Sequence, residues 1–133
     1  MNVIGRLRTL AGRLAGRNGS PGVVLMYHRI ASGLVDPWRL CVSPANFAAQ
    51  LEVLASSFRV VTLRELVSAR GSDGSRPSVA ITFDDGYADN LHAAARRLVR
   101  QGMPATFFLT SGTLGSDREF WWDELDQLLL QPG

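Results

Sequence analysis

Val79-Ala80-Ile81-Thr82-Phe83-Asp84-Asp85-Gly86-Tyr87 is the stretch that determines the fold. An apolar, β-branched run leads into two adjacent acids, and a glycine follows them. Apolar runs of this length that end at turn residues are typical of buried strands. The residues after Gly86 have helical periodicity, so the stretch predicts a strand, a loop and a helix. In α/β folds, ligands bind at the carboxyl ends of strands, which is where Asp84 and Asp85 lie.

The two adjacent carboxylates are the candidate functional groups. Two negative charges this close repel each other unless a cation or a shared proton offsets the repulsion. Successive side chains of an extended chain point to opposite faces. Asp84 can therefore face a water or substrate while Asp85 holds an ion, or the reverse. The alternative is that both are solvated loop acids, one of which caps the next helix.

Strand and helix patterns alternate along the rest of the chain. Four apolar runs predict buried strands, at residues 23–28, 59–61, 79–83 and 105–110. Four helical patterns predict helices, at about residues 44–58, 62–67, 88–101 and 120–131. Ser43-Pro44 is a typical N-cap with proline at N1, and Thr62 with Glu65 matches a capping box. This order predicts an α/β fold whose parallel strands are joined by right-handed crossovers.

The last two predicted helices have apolar stripes that we expect to face the core. The stripe of the helix over residues 88–101 consists of Leu91, Ala94, Ala95, Leu98 and Val99. The stripe of the helix over residues 120–131 consists of Trp122, Leu125, Leu128 and Leu129. His92 is predicted to lie on the surface of its helix, away from the two acids.

Length and charge limit the classes of function. The chain has 133 residues, which predicts at most one domain and is short for a complete β/α barrel. All fourteen basic residues are arginine, so mechanisms that require a lysine are excluded. The net charge is only +2, and four arginines without an acid lie in residues 1–20. This distribution argues against a nucleic-acid-binding face, and no apolar run approaches the length of a membrane span.

Residues 1–20 are predicted to be a basic, loosely ordered N-terminal extension. Ile4, Leu7, Leu10 and Leu14 have helical spacing, so a basic amphipathic helix on a membrane surface is the alternative. The segment lacks a continuous apolar core and is therefore not predicted to be a signal peptide. A cytoplasmic or membrane-peripheral location is favoured. The single Cys41 cannot form an internal disulfide and is predicted to be a buried or idle thiol.

Thr82-Phe83-Asp84-Asp85-Gly86 resembles the motif of polysaccharide deacetylases with a NodB-homology domain, carbohydrate esterase family 4. Three other segments fit this family: Leu25-Met26-Tyr27-His28-Arg29, Pro104-Ala105-Thr106-Phe107-Phe108-Leu109 and Phe120-Trp121-Trp122-Asp123-Glu124-Leu125. The resemblance covers about residues 23 to 130. It implies a distorted β/α barrel, of which residues 21–133 would be the N-terminal part, with the C-terminal half missing.

The resemblance also implies a reaction. It is the metal-dependent hydrolysis of the acetamide group of N-acetylated sugars in a polysaccharide or oligosaccharide. Asp84 would be the general base that takes a proton from the attacking water, and Asp85 would be a ligand of a divalent metal, zinc. His28 and Tyr87 are candidates for lining the pocket, although His28 is not one of the usual metal ligands of the family.

Several parts of the family's site have no counterpart in the sequence. The family completes its metal site with a downstream pair of histidines, orients the base with a later arginine, and uses a late histidine as general acid. The only histidines here are His28 and His92, and neither matches the paired motif. We therefore expect negligible deacetylation and weak metal binding from the 133-residue chain itself.

Other classes of function compete with a deacetylase. A truncated, catalytically inactive relative would bind a glycan or another protein as a half-barrel, associating through its exposed barrel edges. A phosphoacceptor receiver domain also gathers acids at strand ends, but it requires a lysine that this chain does not have. A nucleophilic hydrolase is unsupported, because no serine or cysteine lies in a recognisable nucleophile elbow.

Overall fold

The computed structural model describes residues 3–14, 22–32, 35–68 and 76–130 of the chain. Helices and strands alternate within these residues, as the sequence predicts. In chain order they are α1 (Val3–Leu14), β1 (Val23–Tyr27), α2 (Pro44–Ser57), β2 (Arg59–Val60), α3 (Leu63–Ser68), β3 (Ser78–Phe83), α4 (Arg96–Arg100), β4 (Thr106–Phe107) and α5 (Trp121–Leu130). A π-helical segment, Asn90–Ala95, leads directly into α4.

The strands form a parallel sheet with β3 at its centre. Along one edge of β3, β1 pairs from Val23 opposite Val79 to Tyr27 opposite Phe83. On the other edge, β2 pairs with the start of β3 and β4 pairs with its end. Because every residue of β3 is buried, its continuous apolar sequence is that of a strand covered on both faces. The predicted parallel α/β architecture is confirmed.

The core lies between the sheet and α2. The helix begins where the Ser43 hydroxyl accepts a hydrogen bond from the backbone N–H of Asn46 at 3.2 Å, with Pro44 in the first turn. Its apolar stripe packs on β1 and β3, and the central cluster consists of Tyr27, Phe47, Leu51, Leu54, Phe58, Ile81 and Phe83. The predicted cap of this helix is confirmed.

The capping box of α3 is also confirmed. The Glu65 carboxylate accepts from the backbone N–H of Thr62 at 2.8 Å, and the Thr62 hydroxyl accepts from the backbone N–H of Glu65 at 3.1 Å. Each side chain satisfies a backbone donor that the first helical turn leaves free.

Two of the predicted buried strands are only partly covered. In β1 the side chains alternate, so that Tyr27 is buried while Met26 is 60% exposed on the opposite face. The predicted strand over 105–110 is reduced to the two residues of β4, and Phe108 and Leu109 beyond it are exposed. Among the described strands only β3 pairs with β4, so nothing described continues the sheet past it.

The predicted inner faces of the two later helices are also partly wrong. In the π-helical segment and α4, Ala94 and Leu98 are buried, but Leu91 and Val99 are 66% and 80% exposed. A π-helix bonds each residue to the fifth one along and so turns less per residue than an α-helix, which rotates part of the stripe out of register. In α5 the stripe of Leu125, Leu128 and Leu129 is exposed, because no described element covers it.

The prediction of a loosely ordered N-terminus is wrong for residues 3–14, which form α1. Leu7 and Ala11 are buried, and the helix packs against α2. Most helical stability in proteins comes from the packing of an apolar face, and this contact offsets the cost of glycines within the segment. Residues 1, 2 and 15–20 of the predicted extension lie outside the described residues. Among the described helices, none is long and apolar enough to cross a membrane.

Candidate active site

The two predicted acids lie at the carboxyl end of the central strand. The backbone N–H of Asp84 donates to the carbonyl of Tyr27 at 2.9 Å, so Asp84 sits where β1 and β3 both end. Asp85 and Gly86 then turn the chain with φ values of 69° and 83°. Aspartate tolerates this left-handed region better than most residues do. Neither carboxylate accepts a hydrogen bond from a described residue, so both are free to act on a ligand.

Gly86 is required for two reasons. Its positive φ disfavours any side chain, and a Cβ built there would lie 2.8 Å from Cδ2 of Leu109. The turn is closed by the backbone N–H of Gly86, which donates to the carbonyl of Asp84 at 2.9 Å. The loop therefore packs closely against the segment that follows β4.

A cavity of about 760 Å³ opens beside this loop. Asp85, Gly86 and Tyr87 form one part of its lining, and residues between Leu109 and Gln127 form another. Asp84 and His28 are not among the lining residues, although both lie at strand ends next to the loop. His92 is exposed on the π-helical segment and lies away from this cavity.

Arg29, which the sequence analysis did not single out, is a central residue of the cavity wall. Its Nε donates to Oδ2 of Asp89 at 3.0 Å, and Oδ1 of the same carboxylate accepts from the backbone N–H of Ile30 at 2.9 Å. Burial opposes the charge of the guanidinium, but the hydrogen bond and charge of Asp89 outweigh it and raise the pKa of Arg29. Arg29 follows β1 and Asp89 follows β3. Their positions after two adjacent strands were the sequence signal that could have predicted this contact.

Asn90 ties the same two segments together. Its Nδ2 donates to the carbonyl of His28 at 3.0 Å, and the side chain is buried. Its Oδ1 has no hydrogen-bond partner among the described residues. Asp89 and Asn90 thus hold the end of β1 against the segment after the acidic loop.

The Tyr87 hydroxyl makes hydrogen bonds with two neighbouring side chains. It donates to Oδ2 of Asp123 at 2.9 Å and accepts from Nε1 of Trp122 at 2.8 Å. The guanidinium carbon of Arg29 lies 4.3 Å from the centre of the tyrosine ring, a cation–π geometry. Burial and the Asp123 carboxylate raise the pKa of Tyr87, outweighing the opposite effects of Trp122 and Arg29, so the phenol stays neutral.

Aromatic rings extend this wall. Phe120 stacks on Trp122 with ring centres 4.6 Å apart, and it meets the edge of Tyr87 at 5.3 Å. Trp121 packs edge-on against Trp122 and is otherwise exposed. Of these rings, Tyr87 and Phe120 line the cavity, and Trp122 packs behind Phe120.

The described residues do not by themselves fit a zinc centre. A catalytic zinc is usually held by three protein ligands, and no group of three or more His, Cys, Asp or Glu side chains comes together among the described residues. Asp85 is the predicted ligand that faces the cavity. Cys41 is a free thiol whose pKa is raised by burial and by Asp36, which fits the predicted idle role.

Comparison with known proteins points to one family. Residues 71–131 match the family model described as polysaccharide deacetylase. YxkH of Bacillus subtilis (strain 168), whose name assigns it provisionally to the polysaccharide deacetylases, is 32% identical over 108 residues. That alignment covers 79% of this chain and 37% of YxkH.

Solved structures agree on the fold. IcaB from Ammonifex degensii superposes with a TM-score of 0.64 at 28% identity, covering 86% of this chain and 49% of IcaB. A de-N-acetylase from Aggregatibacter actinomycetemcomitans gives a TM-score of 0.63 at 20% identity, covering 83% of this chain and 51% of that protein, and shows the fold alone. The chain thus spans about half or less of the length of the proteins it matches. In sequence and in fold, the chain is similar to the polysaccharide deacetylases.

Proposed function

We propose that this chain is the N-terminal part of a deacetylase domain that hydrolyses the acetamide of N-acetylated sugars in a polysaccharide or oligosaccharide. One observation carries the proposal. The acidic pair of the motif lies at the carboxyl end of the central strand, and Asp85 faces a cavity large enough for a sugar. Similarity to the polysaccharide deacetylases supports the reaction class, and residues 21–133 are proposed as the boundaries of this partial domain.

Within that reaction, we assign each acid a separate role. Asp84 is proposed as the general base, since a carboxylate without a competing hydrogen bond can accept the proton of an attacking water. Asp85 is proposed as one ligand of a divalent metal, zinc by resemblance. Because the described residues do not complete such a site, its other ligands would come from outside them. Tyr87 is proposed as a wall of the pocket, and His28 as a residue at its edge.

The proposal is tested by acetate release from N-acetylglucosamine oligosaccharides, using the protein at its natural length. Asp84→Asn should abolish turnover while metal stays bound, and Asp85→Ala should abolish metal binding as well as turnover. Glu124→Gln, an exposed acid on α5 outside the cavity lining, is the matched control and should leave both unchanged. Full activity in either aspartate variant would overturn the assignment. We expect negligible turnover from the 133-residue chain alone.

A second function is favoured by the exposed apolar surface. Met26 on β1, Phe108 and Leu109 after β4 and the leucines of α5 are all accessible in the described structure. Exposed apolar patches of this kind mark binding surfaces or association. A catalytically inactive relative would use them to bind a glycan or a protein. Stoichiometric binding of an oligosaccharide in calorimetry, with no acetate released at natural length, would support this function over the first.

A further inference from the structure

The helix α5 is joined to the rest of the protein through its first turn. None of its residues, all of which are described, is buried, and its leucines face solvent. Trp122 and Asp123 are the half-buried residues that make polar contacts with the site. Hydrophobic burial therefore contributes little to the position of α5, and specific polar and aromatic contacts must set it.

These contacts converge on what we term the Tyr87 cluster, formed by Arg29, Tyr87, Trp122 and Asp123. Tyr87 stands two residues after Asp85, so its position is tied to the acidic loop. Its hydroxyl bridges Trp122 and Asp123, which are adjacent in α5. One side chain from the loop thus holds two consecutive residues of the helix.

Arg29 reinforces the bridge from the end of β1. Its guanidinium lies against the Tyr87 ring at 4.3 Å, and its Nη1 is 3.8 Å from Oδ1 of Asp123. Asp89 fixes the other side of the guanidinium at 3.0 Å. Asp123 therefore accepts a hydrogen bond from Tyr87 with one oxygen and faces a fixed positive charge with the other. Hydrogen bonds to ionised groups are stronger than neutral ones.

We propose that Tyr87 and Asp123 are positioning residues, which hold the first turn of α5 against the acidic loop and so fix the part of the cavity wall that Phe120 and Asp123 form. Without them Phe120 and Trp122, which stack on each other, would lose their link to the loop. The hydroxyl proton of Tyr87 is donated to Asp123, so Tyr87 shapes the wall and does not supply a proton. The bearing on sugar hydrolysis rests on the proposed function, whereas the positioning itself rests on the contacts.

The direct test is the hydrogen exchange of the Trp122 indole N–H, followed by NMR. The protein has three tryptophans, and Trp38 and Trp121 are exposed, so their signals serve as internal references. Tyr87→Phe removes the acceptor of the Trp122 indole while keeping the ring. We expect the exchange of the Trp122 indole to become about tenfold faster, since a lost hydrogen bond exposes the N–H to water.

Substitutions of Asp123 separate shape from hydrogen bonding. Asp123→Asn keeps an acceptor for Tyr87 and should leave the exchange rate within about twofold of the wild type, whereas Asp123→Leu should raise it by at least about threefold. Glu124→Leu is the control, because it makes the same change at the next residue of α5, which is exposed. Unchanged exchange in Tyr87→Phe, or equal acceleration in Glu124→Leu and Asp123→Leu, would overturn the proposal. Thermal melts of each variant separate local loosening from global unfolding.

Kinetics at natural length then distinguish this inference from the proposed function. Asp123→Leu should raise KM for an N-acetylglucosamine oligosaccharide several-fold with a smaller change in kcat, and Asp123→Asn should restore KM. If Tyr87→Phe accelerates indole exchange but the natural-length protein releases no acetate, the proposed function is wrong and the positioning role still holds. Deacetylation with an unchanged KM in Asp123→Leu would remove the link between positioning and substrate.

Discussion

The helices α2 and α5 show two different ways of fixing a helix in one protein. Leu51 in α2 and Leu128 in α5 belong to apolar stripes of the same type, yet Leu51 is 0% exposed and Leu128 is 78% exposed. The helix α2 packs its stripe on β1 and β3, whereas α5 is attached by the Tyr87 cluster at its first turn. An apolar stripe in the sequence therefore predicts a helix, but not what covers it.

The difference has consequences for the site. Apolar burial is non-directional and scales with area, so it tolerates small shifts of a helix. Hydrogen bonds lose their strength within a few tenths of an ångström or tens of degrees. The acids thus follow the buried strand β3, while the part of the cavity wall formed by Phe120 and Asp123 depends on directional contacts.

The largest expected effect comes from the same substitution in both helices. Leu51→Ala should lower the free energy of unfolding by about 2–5 kcal/mol, because it leaves a cavity in the core. Leu128→Ala should change it by less than about 0.5 kcal/mol, because its side chain is already in water. Urea unfolding followed by far-UV circular dichroism measures both.

The same two variants can also show that the contrast between α2 and α5 is wrong. A loss of more than about 1 kcal/mol in Leu128→Ala would mean that the stripe of α5 is covered in solution, by association or by another part of the protein. Sedimentation of the wild type across a concentration series identifies association. If the stability loss in Leu128→Ala disappears on dilution, a second molecule of the protein covers the stripe of α5.

The sequence predicted the core well because its patterns are local. The helix caps and the buried strand β3 depend on neighbours within a few residues, and both agree with the structure. The exposed stripe of α5 and the half-covered β1 were not predictable, since they depend on which elements lie alongside. The π-helical segment was missed because its sequence also fits an ordinary α-helix.

The candidate site was predicted unevenly for a related reason. Asp85 and Tyr87 belong to one short stretch, and the structure places both in the lining of the cavity. Arg29 and Asp123 come from segments far apart in the sequence and meet only in the fold. The roles of Asp84, Asp85, His28 and Tyr87 stay predictions until the variants above are measured.

A smaller effect is expected from alkaline pH, and it concerns the core. Burial raises the pKa of Tyr27 from 10.0 to about 12, and its hydroxyl donates to Gln50 at 2.8 Å. The neutral phenol is the form that the fold prefers, so its contribution is complete below pH 10 and is lost as the pH rises through about 12. At about pH 11.5 the loss should reach roughly 2 kcal/mol.

The absence of lysine makes this measurement unusually clean. The remaining groups that titrate in this range are Tyr87 and Cys41, whose pKa values are also raised. Urea unfolding at about pH 8 and about pH 11.5, for the wild type and for Tyr27→Phe, isolates the Tyr27 contribution. If both proteins lose the same stability at high pH, the buried phenol is not the source.

The smallest expected effect tests the contact between the acidic loop and the segment after β4, where Gly86 meets Leu109. Gly86→Ala and Gly102→Ala both place a side chain at positive φ, 83° and 61° respectively, which costs about 1 kcal/mol or slightly more. A Cβ at position 86 also meets Leu109 at 2.8 Å, whereas a Cβ at position 102 has nothing within 4 Å. The difference in unfolding free energy between these variants therefore measures the contact together with the small difference in backbone strain. Because the side chain of Leu109 is exposed and can move, we expect that difference to stay below about 1 kcal/mol, and a larger value would show that the segment after β4 is held as rigidly as the core.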